Sequence, residues 1–203
     1  MTSSRSSEPG DDWRDHVARD AARRLVRGET DEIATAIRLA QRAADTTITP
    51  PESLIRRHWQ GLMQQATGDA AYTADRQRVR SVIEDALGTL ETIVDSDAVR
   101  LVGRTARDLI DGPVTARLRV YATIRSTTLA GALEAAGYDT VTVHSADTRF
   151  GRLDELRFRD EDVDFVLVRC LPDQIDSADR NLYRDEPIAS LTPAQYRTSV
   201  LGR

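Results

Sequence analysis

The chain has 203 residues, 40% of them hydrophobic and 30% charged, with a formal net charge of −5, enough for a packed core in one large domain or two small ones. No apolar run approaches the roughly 20 residues of a membrane span, and a single cysteine, Cys170, excludes a disulfide within the chain. The three histidines, His16, His58 and His144, lack metal-ligand spacing, and the arginines are scattered among acidic neighbours rather than gathered in a stripe, which speaks against direct nucleic-acid binding.

The first ten residues, MTSSRSSEPG, are polar, have no apolar core and read as a short disordered tail rather than a signal peptide. Residues 11–112 read as a helical domain. Trp13, Val17, Ala21 and Leu25 recur four apart on one face, Asp11 and Asp12 suit the helix start, and Gly28 suits its stop. Ile33, Ile37 and Ala40 mark a second helix that Thr30 can cap. Pro50 and Pro51 stand where a third begins, with Leu54, Ile55, His58, Trp59, Leu62 and Met63 at helical spacing. Trp13 and Trp59 are expected in the core, and His58 as a half-buried packing residue. A long helix carries Val79, Ile83, Leu87, Leu90 and Val94, and a further one Val99, Val102, Ala106 and Ile110, ended by Asp111 and Gly112.

After Gly112 the texture changes. Residues 113–203 read as a small α/β domain with three apolar runs, LRVYATI, TVTVHSA and VDFVLVRCL. Between the first two lies STTLAGALEAAG, a helix ended by Gly137. Strand, helix and strand at this spacing predict parallel strands joined by a right-handed crossover, covered on both faces. The expected fold class is therefore α/β: a helical N-terminal half followed by a small Rossmann-like three-layer unit with a parallel sheet. A short helix is expected from Thr192, with Pro193 in its first turn.

Ligands of open parallel sheets bind outside the carboxyl ends of the strands. Ser126, Thr127 and Thr128 open a helix there, where unpaired backbone N–H groups and the helix dipole favour an anion, and Arg125 can add hydrogen bonds. The same residues also suit an ordinary helix cap. The second polar segment holds His144, Asp147, Arg149 and Gly151; the third begins at Cys170 and includes Asp173. Asp147, Cys170 and Asp173 are the candidates for catalysis. Arg125, Ser126, Thr127, Thr128, Arg149 and Gly151 are the candidates for ligand binding. No metal ligand set and no cofactor are expected.

This layout resembles the superfamily of the α, β and δ subunits of translation initiation factor 2B, which also holds the ribose-1,5-bisphosphate and methylthioribose-1-phosphate isomerases. The resemblance covers roughly Asp12 to Gly151. TITPPESL, Thr47 to Leu54, stands where the family has a TRPTAVSL-like segment, with Ile48 in place of the arginine. ATIRS, Ala122 to Ser126, stands for the family's THCxS turn, so the isomerases' catalytic cysteine falls on Ile124. In HSADTRFG the family's glutamate is replaced by His144 while Gly151 is kept, and Arg169 to Leu171 takes the place of the catalytic aspartate's GAD. The NKxGT segment is missing. The resemblance implies a non-catalytic regulatory or binding protein that contacts initiation factor 2 or a sugar-phosphate or nucleotide effector. Two alternatives stand beside it: a sugar-phosphate isomerase with rearranged residues, and an unrelated assembly protein without a small ligand.

A short parallel sheet would leave an open edge, so a homodimer or hetero-oligomer is expected. All basic residues are arginine and the acids are mostly aspartate, a composition suggesting a GC-rich genome and a salt-loving host, in which the acidity serves solubility. A cytoplasmic location follows from the polar N-terminus.

Overall fold

The computed structural model describes residues 9–30, 33–110, 112, 114–184 and 186–202. Residues 1–8 of the expected tail, Asp111 at the expected helix stop, and Asp31 and Glu32, which follow the Thr30 cap, lie outside them. The chain divides into two compact units, residues 1–75 and 76–203.

The first unit holds helices α1 (Pro9–Val26), α2 (Ile33–Ala43) and α3 (Glu52–Thr67). Helix α1 stops as its glycine requires. Gly28 adopts φ +68°, its N–H bonds the Leu25 carbonyl at 3.1 Å, and the Glu29 N–H reaches back to Arg24 at 3.0 Å. Val17, Ala18, Ala21, Ala22 and Leu25 of α1 pack with Ala36 and Ala40 of α2 and with Ile55 and Trp59 of α3. Small alanines let the helix axes approach closely, so this core is narrow and relies on fit. Trp13, expected in the core, is 49% exposed and sets its ring edge-on to His16, 5.8 Å between centroids. The apolar stripe outruns the helices available to cover it. His58 is half-buried as expected, and its Nε2 lies 2.7 Å from Asp15 Oδ1 across the α1–α3 seam.

The boundary between the units falls inside helix α4 (Asp69–Ile93). The second unit is built on a six-stranded sheet of β1 (Val99–Val102), β2 (Val114–Tyr121), β3 (Asp139–Thr148), β4 (Gly151–Asp160), β5 (Val163–Cys170) and β6 (Ser190–Leu191), in the order β3-β4-β5-β2-β1-β6. Helix α5 (Ser126–Ala135) follows β2, and the short α6 (Pro193–Tyr196) follows β6. The α/β class with a helical N-terminal half therefore stands, with three corrections. The sheet is mixed, because among its neighbouring strands only β2 and β5 pair in parallel. The strand after α5 does not lie beside β2; β3, β4 and β5 form an antiparallel meander that returns β5 to that place. And Val99–Val102, expected in a helix, is a strand paired with β2 and β6. The spacing of Val99 and Val102 fits a helical stripe, but Val99 and Leu101 both point into the sheet's core and Gly103, at φ +78°, ends the run.

One face of the sheet is covered by helices. Val79, Ile83, Leu87 and Leu90 of α4, Leu129 and Leu133 of α5, and Tyr196 of α6 close over Val99, Leu101, Ala116, Leu118, Val120, Leu156, Phe158, Phe165 and Leu167. Phe158 and Phe165 stack with centroids 4.9 Å apart, and Tyr138 meets Phe158 edge-on at 5.0 Å. Thr192 caps α6 as expected, accepting from the Gln195 N–H at 3.1 Å. Within the second unit, the described residues place no helical layer on the opposite face. An irregular segment from Pro172 to Ile188 covers only its end, over Tyr121, Leu153, Val168 and Cys170, and the rest of that face borders a cavity.

Candidate functional site

Helix α5 begins where the sequence places it, at Ser126, after an extended Arg125. Ser126 is 7% exposed, and its hydroxyl donates to the Asp154 carboxylate on β4. Directly across from Asp154 in register stands Arg169 of β5, its Nε 3.5 Å from the same carboxylate. The helix N-terminus thus has its anion already, supplied by the chain itself. A phosphate brought to this turn would meet a carboxylate. Arg125, Thr127 and Thr128 are exposed around it, and Arg125 makes no side-chain cap bond.

The other candidates do not converge there. Asp147 is an exposed residue of edge strand β3, not of a loop, because TVTVHSADT continues as strand to Thr148. Arg149 occupies the tight β3–β4 turn with its guanidinium 4.9 Å over the Phe150 ring, and Gly151, at φ +92°, opens β4. The expected binding loop is therefore a hairpin turn. Cys170 is fully buried against Tyr121, Leu153 and Leu182, and burial pushes its thiol up to about 11. A thiol so placed is a weak nucleophile at neutral pH. Asp173 is exposed in the 3-10 turn Pro172–Ser177.

The cavity lies on the helix-free face. It has a volume of about 470 Å³ and is lined by residues of β1, β2 and β5, by Gly103–Thr105 and Leu109, and by Asn181–Tyr183 and Ile188 of the covering segment, a size usual for small-molecule sites. Its floor follows from the sheet register. Arg117 stands in one row between Val102 and Val166, and Arg119 in the next between Arg100 and Val168. Two arginines two residues apart on one strand share a face, so both enter the cavity wall together with Arg104. Among the described residues no carboxylate lines it, although the chain as a whole is acidic.

The three arginines differ in commitment. Arg119 is 3% exposed and donates to the Arg180 carbonyl at 2.8 Å, the Ala178 carbonyl at 3.3 Å and the Tyr121 hydroxyl at 3.4 Å, which ties the covering segment to the sheet. Arg104 has partners of its own. Arg117 is exposed into the cavity and makes no hydrogen bond or ion pair among the described residues. Beside them Thr105 is 2% exposed, and its Oγ1 has no hydrogen-bond partner among the described residues. An orphaned buried hydroxyl costs about 1–3 kcal/mol.

None of Arg117, Arg119 and Thr105 is among the sequence candidates. The signal for the arginines is present in TARLRVY, where Arg117 and Arg119 alternate with apolar residues, but it is masked when the run is read as continuously apolar. Thr105 sits in a stretch read as helix. No known protein family, no curated protein and no solved structure matches the chain.

Proposed function

We propose that the chain is a non-catalytic binding protein whose α/β unit takes a small organic anion in the cavity floored by Arg117. One observation carries this reading: Arg117, whose guanidinium makes no hydrogen bond or ion pair among the described residues, lines a cavity of about 470 Å³ together with Arg104 and Arg119, and no carboxylate lines it among the described residues. Binding an anion would give the Arg117 guanidinium a partner. The absence of turnover is supported by the state of the candidate residues. Ser126 is engaged by Asp154, Cys170 is buried with a raised thiol, and Asp147 and Asp173 lie on exposed stretches. A regulatory role sensing a phosphorylated sugar or a nucleotide is one form of this function; its ligand would sit at Arg117 rather than at the Ser126 turn.

The test is a thermal-shift screen of the full chain in molar potassium chloride, with sulfate, ribose 5-phosphate, AMP and a set of organic acids. A ligand at a hundred times its dissociation constant stabilises by about 2.7 kcal/mol, so the midpoint should rise with at least one organic anion and the rise should vanish in Arg117→Ala. A screen without any shift, or a shift that survives Arg117→Ala, counts against the reading.

A further inference from the structure

Resting on the cavity reading above, we infer that the ligand is a phosphate monoester, a dianion held by Arg117 in the field of the neighbouring guanidinium groups. The charge balance of this sheet face points there. Arg117 makes no hydrogen bond or ion pair among the described residues. Arg119 is 3% exposed, yet its partners, all reached through Nη1, are two carbonyls and a phenol. These are neutral acceptors, whereas a buried cation ordinarily has an anionic partner. Its register neighbour on β1, Arg100, likewise gives Nη1 to the carbonyls of Asp97 and Val99, at 2.7 and 2.8 Å. Like charges opposite each other on neighbouring strands are unfavourable. Arg104, which has partners of its own, adds positive charge to the cavity wall from the turn after Val102, the residue paired with Arg117. The carboxylates that β4 and β5 set on the same face have arginines of their own. Glu155 accepts from Arg157 Nε at 2.7 Å, and Asp164 lies 3.8 Å from Arg159 Nε.

More than one negative charge can arrive on one group or on two, and Arg119 decides between these. At 3% exposure it offers too little surface to seat a carboxylate of its own. It acts instead by its charge on the group that Arg117 binds, so the charges belong together on one compact group. A phosphate monoester meets that condition. At neutral pH it carries about −1.5 to −2 on three terminal oxygens. Two oxygens match the fork of Arg117, and the third remains for a donor from the Arg104 side. A carboxylate brings a single charge and no third oxygen. The rest of the lining is mixed. Val166, Val168, Leu182 and Ile188 are apolar, whereas Thr115, Asn181 and Tyr183 offer hydroxyl and amide groups. The cavity therefore accepts a body of either character, and recognition rests on the charged head.

The experiment is isothermal titration calorimetry of the full chain with phenyl phosphate and ribose 5-phosphate, the methyl diester of each, 3-phenylpropanoate and succinate. At least one monoester should bind, and its diester, with one charge fewer, should bind at least about tenfold more weakly. Arg117→Gln should weaken the monoester by about ten- to a hundredfold, and Arg104→Gln should weaken it in the same direction. The melting midpoint of ligand-free Arg117→Gln should stay level or rise, because the change takes one positive charge from beside others. An arginine with a merely structural role would lower it. Equal binding of monoester and diester, or monoester binding indifferent to Arg117→Gln, overturns the assignment. Binding of 3-phenylpropanoate or succinate that depends on Arg117, with neither monoester binding, also overturns it and leaves the cavity reading intact. No binding by any compound removes both.

Discussion

At the scale of single residues, the molecule separates groups that hold the fold from groups left waiting. Asp154 holds. It accepts from Ser126 and faces Arg169, so Asp154→Ala would strand a serine hydroxyl and a half-buried guanidinium together. Equilibrium urea unfolding should show a loss of about 1–3 kcal/mol, and a null result would mean that water already shares the cluster. Cys170 has a pH signature. Folding raises its thiol from 9.0 to about 11, so the folded state favours the protonated form. The stability this contributes is fully present below pH 9 and is lost as pH rises through about 11. The same burial predicts that a thiol reagent labels Cys170 only after denaturation. Asp15 works in the opposite sense. The hydrogen bond with His58 is the largest cause holding its carboxyl below the ordinary value, so its contribution exists above the ordinary carboxylate range and is lost as acid takes the pH down through the lowered value. Asp15→Asn should flatten the acid limb of a stability profile.

At the scale of elements, turns and caps divide what the sequence makes legible from what it hides. Gly137 shows the legible kind. It ends α5 at φ +98°, with its N–H bonded to Glu134 at 3.0 Å and the next N–H, of Tyr138, reaching Leu133 at 3.1 Å. Space around it is open, so the cost of Gly137→Ala is the backbone's alone, about 1 kcal/mol by thermal denaturation. Helices α1, α3 and α4 were readable because a four-residue apolar spacing fixes which side faces inward. Strand β4 stays hidden in the sequence, although Leu156 and Phe158 alternate with Arg157 and Arg159. The charged partners outnumber the apolar ones and the segment follows a glycine that looks like the end of a loop. Strand β1 resembles helix in the sequence because four residues are too few to tell the two periods apart. Its burial corrects this. Leu101 is fully buried between β2 and β6, so Leu101→Ala should cost about 2–5 kcal/mol, an amount an exposed turn of helix would not show.

At the scale of the whole molecule, the class of the fold was legible and the strand order was not. A helix between two strands indicates a crossover, but nothing local says how many strands it passes. Here α5 passes over β5 and β4 before β3 begins, and the Ser126 turn consequently meets Asp154 of β4 instead of an open crevice. The proposed binding face also depends on a feature that no local pattern announces, namely that within the second unit the described residues cover the second face only in part. Each unit has its own core, one around Val17 and Ala21 and one around Leu118 and Phe165. A chain starting at Asp69, which keeps α4 whole, should therefore fold and retain any ligand of the Arg117 cavity, as circular dichroism and titration would show. Loss of folding in that fragment would mean that the two cores are not separable.

The place of β5 has a consequence for synthesis. It is the neighbour of β2 on the side away from β1, yet Val163, the partner of Val114, is made 49 residues later. During translation β2 can pair with β1 at once, but its other edge stays open while α5, β3 and β4 leave the ribosome. An apolar edge held open this long is a site for mispairing between nascent chains. Release of the polypeptide before Val163 should yield insoluble product, and slow codons between Thr148 and Val163 would lengthen the vulnerable interval.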